Sequence, residues 1–224
     1  MEDSNLSKYK DMIEAISKTV YKEVKSRKMV LNHFPILVEI SNRHIHLTRE
    51  SLDILFGKGY ELTKLRGLSQ PNEFACNEQL TIAGPNMRVI ERVRIIGPVR
   101  GYTQAELSIT DGYFLGLDLP TRISGNLKDA SPITFIGPKG TLHLKKGAIR
   151  AARHIHMPQK DADHYGVKDM DRVKVEIAGD HGIIFKDVVI RICTDCNLSL
   201  HLDTDEANAG NVKKTGFARI LLNE

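Results

Sequence analysis

Tryptophan is absent from this chain of 224 residues, and aromatic residues make up only 6% of it. Basic patches interleaved with stacking rings, the usual footprint of a nucleic-acid binder, therefore have little material to form from. Cysteine is scarce as well. Three cysteines, an odd number, argue against a disulfide scaffold and for a reducing compartment. No stretch approaches the ~20 apolar residues that cross a bilayer, and nothing looks like a cleaved signal, so the expectation is a cytoplasmic chain without a membrane partner. Neither sign of charge dominates. A formal net charge of +4 and a pI near 8.9 suit a small anionic ligand such as a phosphate or nucleotide. What is present is an ordinary globular composition, 41% apolar and 27% charged, at a length for one large domain or two small ones.

The apolar period divides the chain. Leu6, Tyr9, Ile13, Ile16, Val20 and Val24 recur at steps of three and four, which predicts an amphipathic helix within residues 1–28. That helix either packs on the body or a sister subunit, or serves as a docking tag for a protein shell. After the break at Asn32–Pro35 the period becomes two, as in Arg92-Val93-Arg94-Ile95, Val173-Val175-Ile177 and Leu198-Leu200-Leu202. Gly-Pro pairs at Gly84-Pro85, Gly97-Pro98 and Gly137-Pro138 punctuate these runs. Residues 133–136 and 141–144 flank one of them as a hairpin. Many short strands and short helices predict a mainly β, α+β fold built from compact barrels rather than a doubly wound sheet.

The chain also repeats itself. Arg43-His44-Ile45-His46-Leu47 returns 110 residues later as Arg153-His154-Ile155-His156-Met157. A helix start follows each copy, with Thr48 as an N-cap for the first and Pro158 in the first turn of the second. Two related halves are expected. The domains are read as a helical extension over 1–33, a discontinuous barrel from 34–43 and 153–224, and an inserted barrel over 44–152. Alternate strand residues face one way, so His44 and His46 project together, as do His154 and His156. Neutral imidazoles spaced like this can share a cation. One such pair is commonplace; four of nine histidines in matching pentapeptides are harder to assign to chance.

A metal site needs further donors. The leucines around His201 leave it on the polar face of its strand, a natural third ligand, although an isolated strand histidine is usually just exposed. Alternation puts Glu106 on a polar face too, and only a site short of a ligand gives it weight. Sets of three protein donors leave a coordination position open, as catalytic zinc does. Arg100, in the turn after Gly97-Pro98, can grip a phosphate bidentately, though most turn arginines are merely solvated. Cys193 and Cys196 have the Cys-x-x-Cys spacing without a second pair and read as incidental. Two rival classes fit parts of the pattern. A cupin-type metal-dependent oxygenase would use His44-x-His46, but Val38 stands where its glycine belongs and the second pair has no place. The other is a non-enzymatic, metal-stabilised binding module.

Ile40-Ser41-Asn42-Arg43-His44-Ile45-His46-Leu47, Ser124-Gly125-Asn126-Leu127-Lys128, the second histidine pentapeptide and the stretch from His201 to Ala209 together resemble the phosphate propanoyltransferase family, in the family's order and across roughly residues 36–222. The resemblance implies two β-barrel domains capped by short helices, with a dinuclear zinc site between them. It implies that His44, His46 and Glu106 hold one zinc and His154, His156 and His201 the other. Arg100 matches the phosphate-binding arginine, and Ile40, Ser41, Asn42, Arg94 and Asn208 match coenzyme A contacts. Where relatives read Gly-Pro-Lys-Gly this chain reads Gly84-Pro85-Asn86-Met87-Arg88, with Arg88 as the stand-in for the lysine. The implied reaction joins acyl-CoA, propanoyl-CoA by the family label, and inorganic phosphate to give acyl phosphate and CoA. A homodimer, and propanediol degradation inside a bacterial microcompartment with the N-terminal helix docked on shell or cargo, complete the expectation.

Overall fold

The computed structural model describes residues 36–177, 182–214 and 216–221. The chain separates into a unit of Met1–Ile36 and a unit of Leu37–Glu224. The helix expected within residues 1–28 lies outside the described residues. The first strands are β1 (Ile36–Ser41), β2 (His44–His46), β3 (Lys64–Gly67), β4 (Phe74–Ala83), β5 (Val89–Gly97), β6 (Gln104–Glu106) and β7 (Thr121–Arg122). They continue as β8 (Ser131–Ile136), β9 (Thr141–Ala151), β10 (His154–Pro158), β11 (Arg172–Ile177), β12 (Ile184–Cys193), β13 (Ser199–Asp203) and β14 (Gly216–Leu221). Four short helices, α1 (Arg49–Phe56), α2 (Ile109–Leu115), α3 (Gln159–Tyr165) and α4 (Thr204–Ala209), lie between them.

The strands close into two six-stranded barrels. One runs β1-β13-β10-β12-β11-β14; the other comprises β4, β5, β2, β6, β9 and β8, with β3 and β7 as side strands on β4 and β9. Closure removes the edges that short strands would otherwise leave unpaired. The mainly β fold with barrels and short helices is as the sequence predicts, including the antiparallel β8–β9 hairpin. In the second barrel Ile45, Leu80, Ile82, Ile95, Ile133 and Phe135 are all buried in one core, each worth about 1.5–3 kcal/mol.

Both barrels use the same ladder. Strand β2 runs parallel to β5 and antiparallel to β6, with His44 opposite Glu106. Strand β10 runs parallel to β12 and antiparallel to β13, with His154 opposite His201. Beyond them, β6 is parallel to β9 and β13 is parallel to β1. The strand before each histidine pair thus belongs to the other pair's barrel: β1 precedes β2 but completes the barrel of β10, and β9 does the converse.

Helix ends follow local chemistry. The Thr48 hydroxyl accepts from the Ser51 N–H at the start of α1, and Gly57 ends it. Capping boxes open α2 (Ser108 with Asp111) and α4 (Asp203 with Glu206). Pro158 sits one position earlier than expected, at the N-cap of α3, and contributes no side-chain bond there.

Candidate metal and substrate centre

In the first histidine pair His44 Nδ1 lies 2.8 Å from the Asn42 carbonyl, and in the second His154 Nδ1 lies 2.8 Å from the Ala152 carbonyl. A carbonyl only accepts, so each Nδ1 carries the proton and each Nε2 presents a lone pair. Those Nε2 atoms sit 3.1 Å from His46 Nε2 and 3.2 Å from His156 Nε2. Neighbouring donors of a tetrahedral ion with bonds of about 2.0–2.1 Å stand ~3.3–3.4 Å apart, so both pairs fit a shared cation. Burial pushes His46 and His154 down to about 4 and His156 to about 3; nearby histidines and arginines add to the effect, while Glu106 and Glu39 oppose it. All three are neutral at pH 7, the form that ligates. His46 Nδ1 is buried with no hydrogen-bond partner.

The third donors come from the neighbouring strands. Glu106 approaches His44 and His46, each at 3.6 Å. The polar face on which it was expected is interior: all three residues of β6 are buried. Burial by itself would raise its pKa, but the His44 and His46 imidazoles and the Ser124 hydroxyl hold the carboxyl well below its usual range. Ser124 Oγ and Gln104 Nε2 both donate to Glu106 Oε1, at 2.6 Å each. His201 packs beside the other pair, its ring centroid 5.1 Å from His154 and 4.8 Å from His156. The donor atoms within His44, His46 and Glu106, and within His154, His156 and His201, lie within 4.8 Å of one another, close enough to hold one metal ion in each set. Glu106 also shares the lining of a ~20 Å³ cavity with His154 and His201, so the two sets meet.

Around them opens a cleft of about 750 Å³, within the span of small-molecule sites. Its wall includes Ile40, Ser41, Asn42, Arg94 and Arg100, with Arg66, Arg191 and Lys214 adding positive charge. Asn208 stands apart from this wall. It lines a neighbouring cavity of about 420 Å³ together with Ile40, Asn42 and Lys213. Arg88 is not on either wall and lies over the Phe114 ring, 5.5 Å from its centroid. Arg100 is not merely solvated: Nη1 donates to the Tyr102 hydroxyl at 2.7 Å and Nη2 to Glu73 Oε1 at 2.5 Å.

Cys193 and Cys196 correct the sequence reading. They form a disulfide, their Cα atoms 5.8 Å apart across the turn after β12, within the range such a bond requires. Cys193 Sγ lies 3.8 Å from His156 Nδ1. Other residues at the site escaped the sequence reading. Glu39 Oε2 lies 3.0 Å from His201 Nε2 and accepts from Ser69 Oγ. Burial alone would raise the Glu39 pKa, but His201 and Ser69 hold it below its ordinary value. Its place directly across from His201 in the parallel pair is visible only once β1 and β13 are known to pair. Gln104 had a signal, two residues before Glu106 on the same strand face. So did Ser124, which opens one of the motifs quoted above. Gly125 follows it with φ 90°, and a Cβ there would stand 3.0 Å from the Tyr102 ring. Glycine answers both demands.

Similarity to known proteins agrees with this geometry. A family model described as phosphate propanoyltransferase matches residues 37–213. A phosphate propanoyltransferase of Thermotoga maritima is 54% identical over 175 residues, 78% of this chain and 83% of the relative. One from Lachnoclostridium phytofermentans is 45% identical over 211 residues, 94% of this chain and 99% of the relative. One from Priestia megaterium is 44% identical over 212 residues, 95% and 96% of the two chains. With the match running through both histidine pairs and nearly the whole of both barrels, the chain belongs to the phosphate propanoyltransferase family.

Proposed function

We propose that this chain is a phosphate acyltransferase that interconverts an acyl-CoA, propanoyl-CoA by the relatives' name, and inorganic phosphate with acyl phosphate and CoA at a two-zinc centre. The observation that carries the reading is the meeting of two three-donor sets beside one basic cleft. His44, His46 and Glu106 would hold one zinc and His154, His156 and His201 the other, each set leaving a position open. Bound zinc supplies Lewis-acid stabilisation of the negative charge that develops on the thioester oxygen.

The chain's own residues do the rest. Arg100, exchanging its bond to Glu73 for one to phosphate, orients a phosphate oxygen toward the thioester carbonyl. The C–O bond forms, the C–S bond breaks, and the electron pair leaves on the CoA sulfur. Phosphate is itself the nucleophile, so no acyl-enzyme is required. Orientation of this kind lowers a barrier by up to about 7–11 kcal/mol in ideal cases. Ile40, Ser41, Asn42 and Arg94 on the cleft wall, with Asn208 in the adjoining cavity, are the residues assigned to CoA. The positive charge of Arg66, Arg94, Arg191 and Lys214 complements its phosphates.

The strand membership of the barrels supports assigning residues 34–43 with 153–224 to one domain and 44–152 to the other. The segment 1–28 is assigned as the address to a microcompartment shell or cargo, and the working assembly as a homodimer in the cytoplasm. The test follows thiol release from propanoyl-CoA, with and without phosphate, alongside zinc analysis of the purified protein. Phosphate-dependent release with about two zinc ions per chain is expected. Release that ignores phosphate would refute the assignment.

A further inference from the structure

The arginine that opens each histidine pentapeptide holds a helix, and Arg43 does so while it also lines the substrate cleft. Arg43 grips Asp111 with both ends of its fork, Nε to Oδ2 at 3.0 Å and Nη2 to Oδ1 at 2.7 Å. Arg153 Nη1 lies 3.2 Å from Glu206 Oε1. Asp111 and Glu206 occupy the same place in the two halves. Each is the third residue of a helix whose N-cap follows the third donor by two positions, Ser108 after Glu106 and Asp203 after His201. Each carboxylate also accepts the N-cap backbone N–H, at 3.2 Å from Ser108 and 3.1 Å from Asp203. Both are buried, 4% and 6% exposed.

We infer that Arg43 and Arg153 are positioning residues, each fixing the third donor of one metal set against the histidine pair that it precedes. The inference rests on the metal reading given under Proposed function. Strand β6 has only three residues, so the start of α2 joins the bonds from Ser124 and Gln104 in setting where Glu106 points. Arg43 ties that helix start to β2, while the His44–Glu106 pairing closes the ring from the other side. The same ring joins Arg153, Glu206, Asp203, His201 and His154. Donors must be held within about 0.5 Å to make a defined site, and a planar bidentate fork does this better than a point charge.

The two clamps differ in depth. Arg43 is the one side chain bonded to the Asp111 carboxylate among the described cations. Glu206 has a second partner, Arg150, whose Nη2 donates at 2.6 Å while its Nε bonds Asp203 at 2.8 Å. Removing Arg43 therefore empties its clamp, whereas removing Arg153 leaves Arg150 in place.

The full-length protein, stripped of metal, would be titrated with zinc against a chromophoric chelator, and with cobalt(II) for the ligand-field spectrum. Wild type should take up two equivalents. Arg43→Gln should weaken one equivalent by roughly 10- to 100-fold, the usual effect of losing a group that orients a ligand, and leave the other unchanged. Arg43→Lys should restore part of that loss, since it keeps the charge without the fork. Asp111→Asn, which retains an acceptor for the Ser108 N–H, should match Arg43→Gln, and the double variant should be no worse than either. Arg153→Gln should lose less than Arg43→Gln.

A role in helix stability alone would lower the melting temperature of the metal-free protein without singling out one equivalent, and that result overturns the inference. So do two equivalents that both keep wild-type affinity in Arg43→Gln and Asp111→Asn. Should Arg43→Gln not fold, Arg43→Lys and Asp111→Asn decide by the same criterion. A wild-type protein that takes up no metal refutes the metal reading itself and the clamps' role with it.

Discussion

Glu73 holds the guanidinium that the proposed reaction needs. Its carboxylate sits 2.5 Å from Arg100 Nη2, with side-chain exposures of 33% for Glu73 and 22% for Arg100. A phosphate that takes Arg100 must displace this carboxylate or share the arginine with it, against like-charge repulsion. Solvent reaches both partners, so the pair is worth only about 1 kcal/mol rather than its value in a dry interior. Glu73→Gln keeps the shape and removes the charge. At 1.4 kcal/mol per tenfold, the phosphate KM should fall roughly 3- to 10-fold. The kcat should stay within about twofold, since Glu73 touches no reacting atom in the proposed geometry. Initial rates of phosphorolysis of propanoyl-CoA across a phosphate series would measure this, and the gain should shrink with added salt. A higher phosphate KM in Glu73→Gln would show that Glu73 orients Arg100 instead of competing for it, and the reasoning would fail.

Replacing Glu106 with Gln should lower bound zinc from about two ions per chain to about one, because the amide lacks the charge that completes its set; an unchanged zinc content would contradict the ligand assignment. The metal-free protein should lose stability in acid. His46, His154 and His156 have folded pKa values depressed by burial to between about 3 and 4, so the unfolded chain binds more protons below pH 6.5. Stability is complete above that value and should decline as pH falls toward 4, by up to about 3 kcal/mol for a single site of this kind. Urea melts of stripped protein at pH 7 and pH 5 that coincide would exclude it. Gly125→Ala should cost about 1–3 kcal/mol by denaturant unfolding, given the φ of 90° and the Tyr102 ring 3.0 Å from the added carbon; no loss would mean that the loop moves freely.

Where the sequence misled, the reason was a partner distant along the chain, except at Cys193 and Cys196, which stand only three residues apart. Cys193 and Cys196 carry no local sign of being bonded, because spacing alone does not separate a thiol pair from a bridge. The turn geometry after β12 decides it. Glu106 looks like a solvated strand carboxylate until β2 and β9 cover it from both sides. Arg100 looks like an exposed turn arginine until Glu73 arrives from a distant segment to join the adjacent Tyr102. Arg88, offered as a replacement for a lysine, turns instead to Phe114.

Periodicity and repetition belong to the sequence. A side-chain period of two, turns rich in glycine and proline, and helix caps act between residues close in the chain, so the barrels' strands and the short helices are legible there. The duplicated pentapeptide is legible too, and with it the four histidines that face in pairs. Which third donor joins which pair is a matter of strand pairing between distant segments. The exchange of β1 and β9 between the barrels, the seating of Glu39 opposite His201, and the tying of Arg43 and Arg153 to two helix starts likewise depend on neighbours that only closure of the barrels brings together. Those contacts act through space over separations of tens to more than a hundred residues, and no local pattern encodes them.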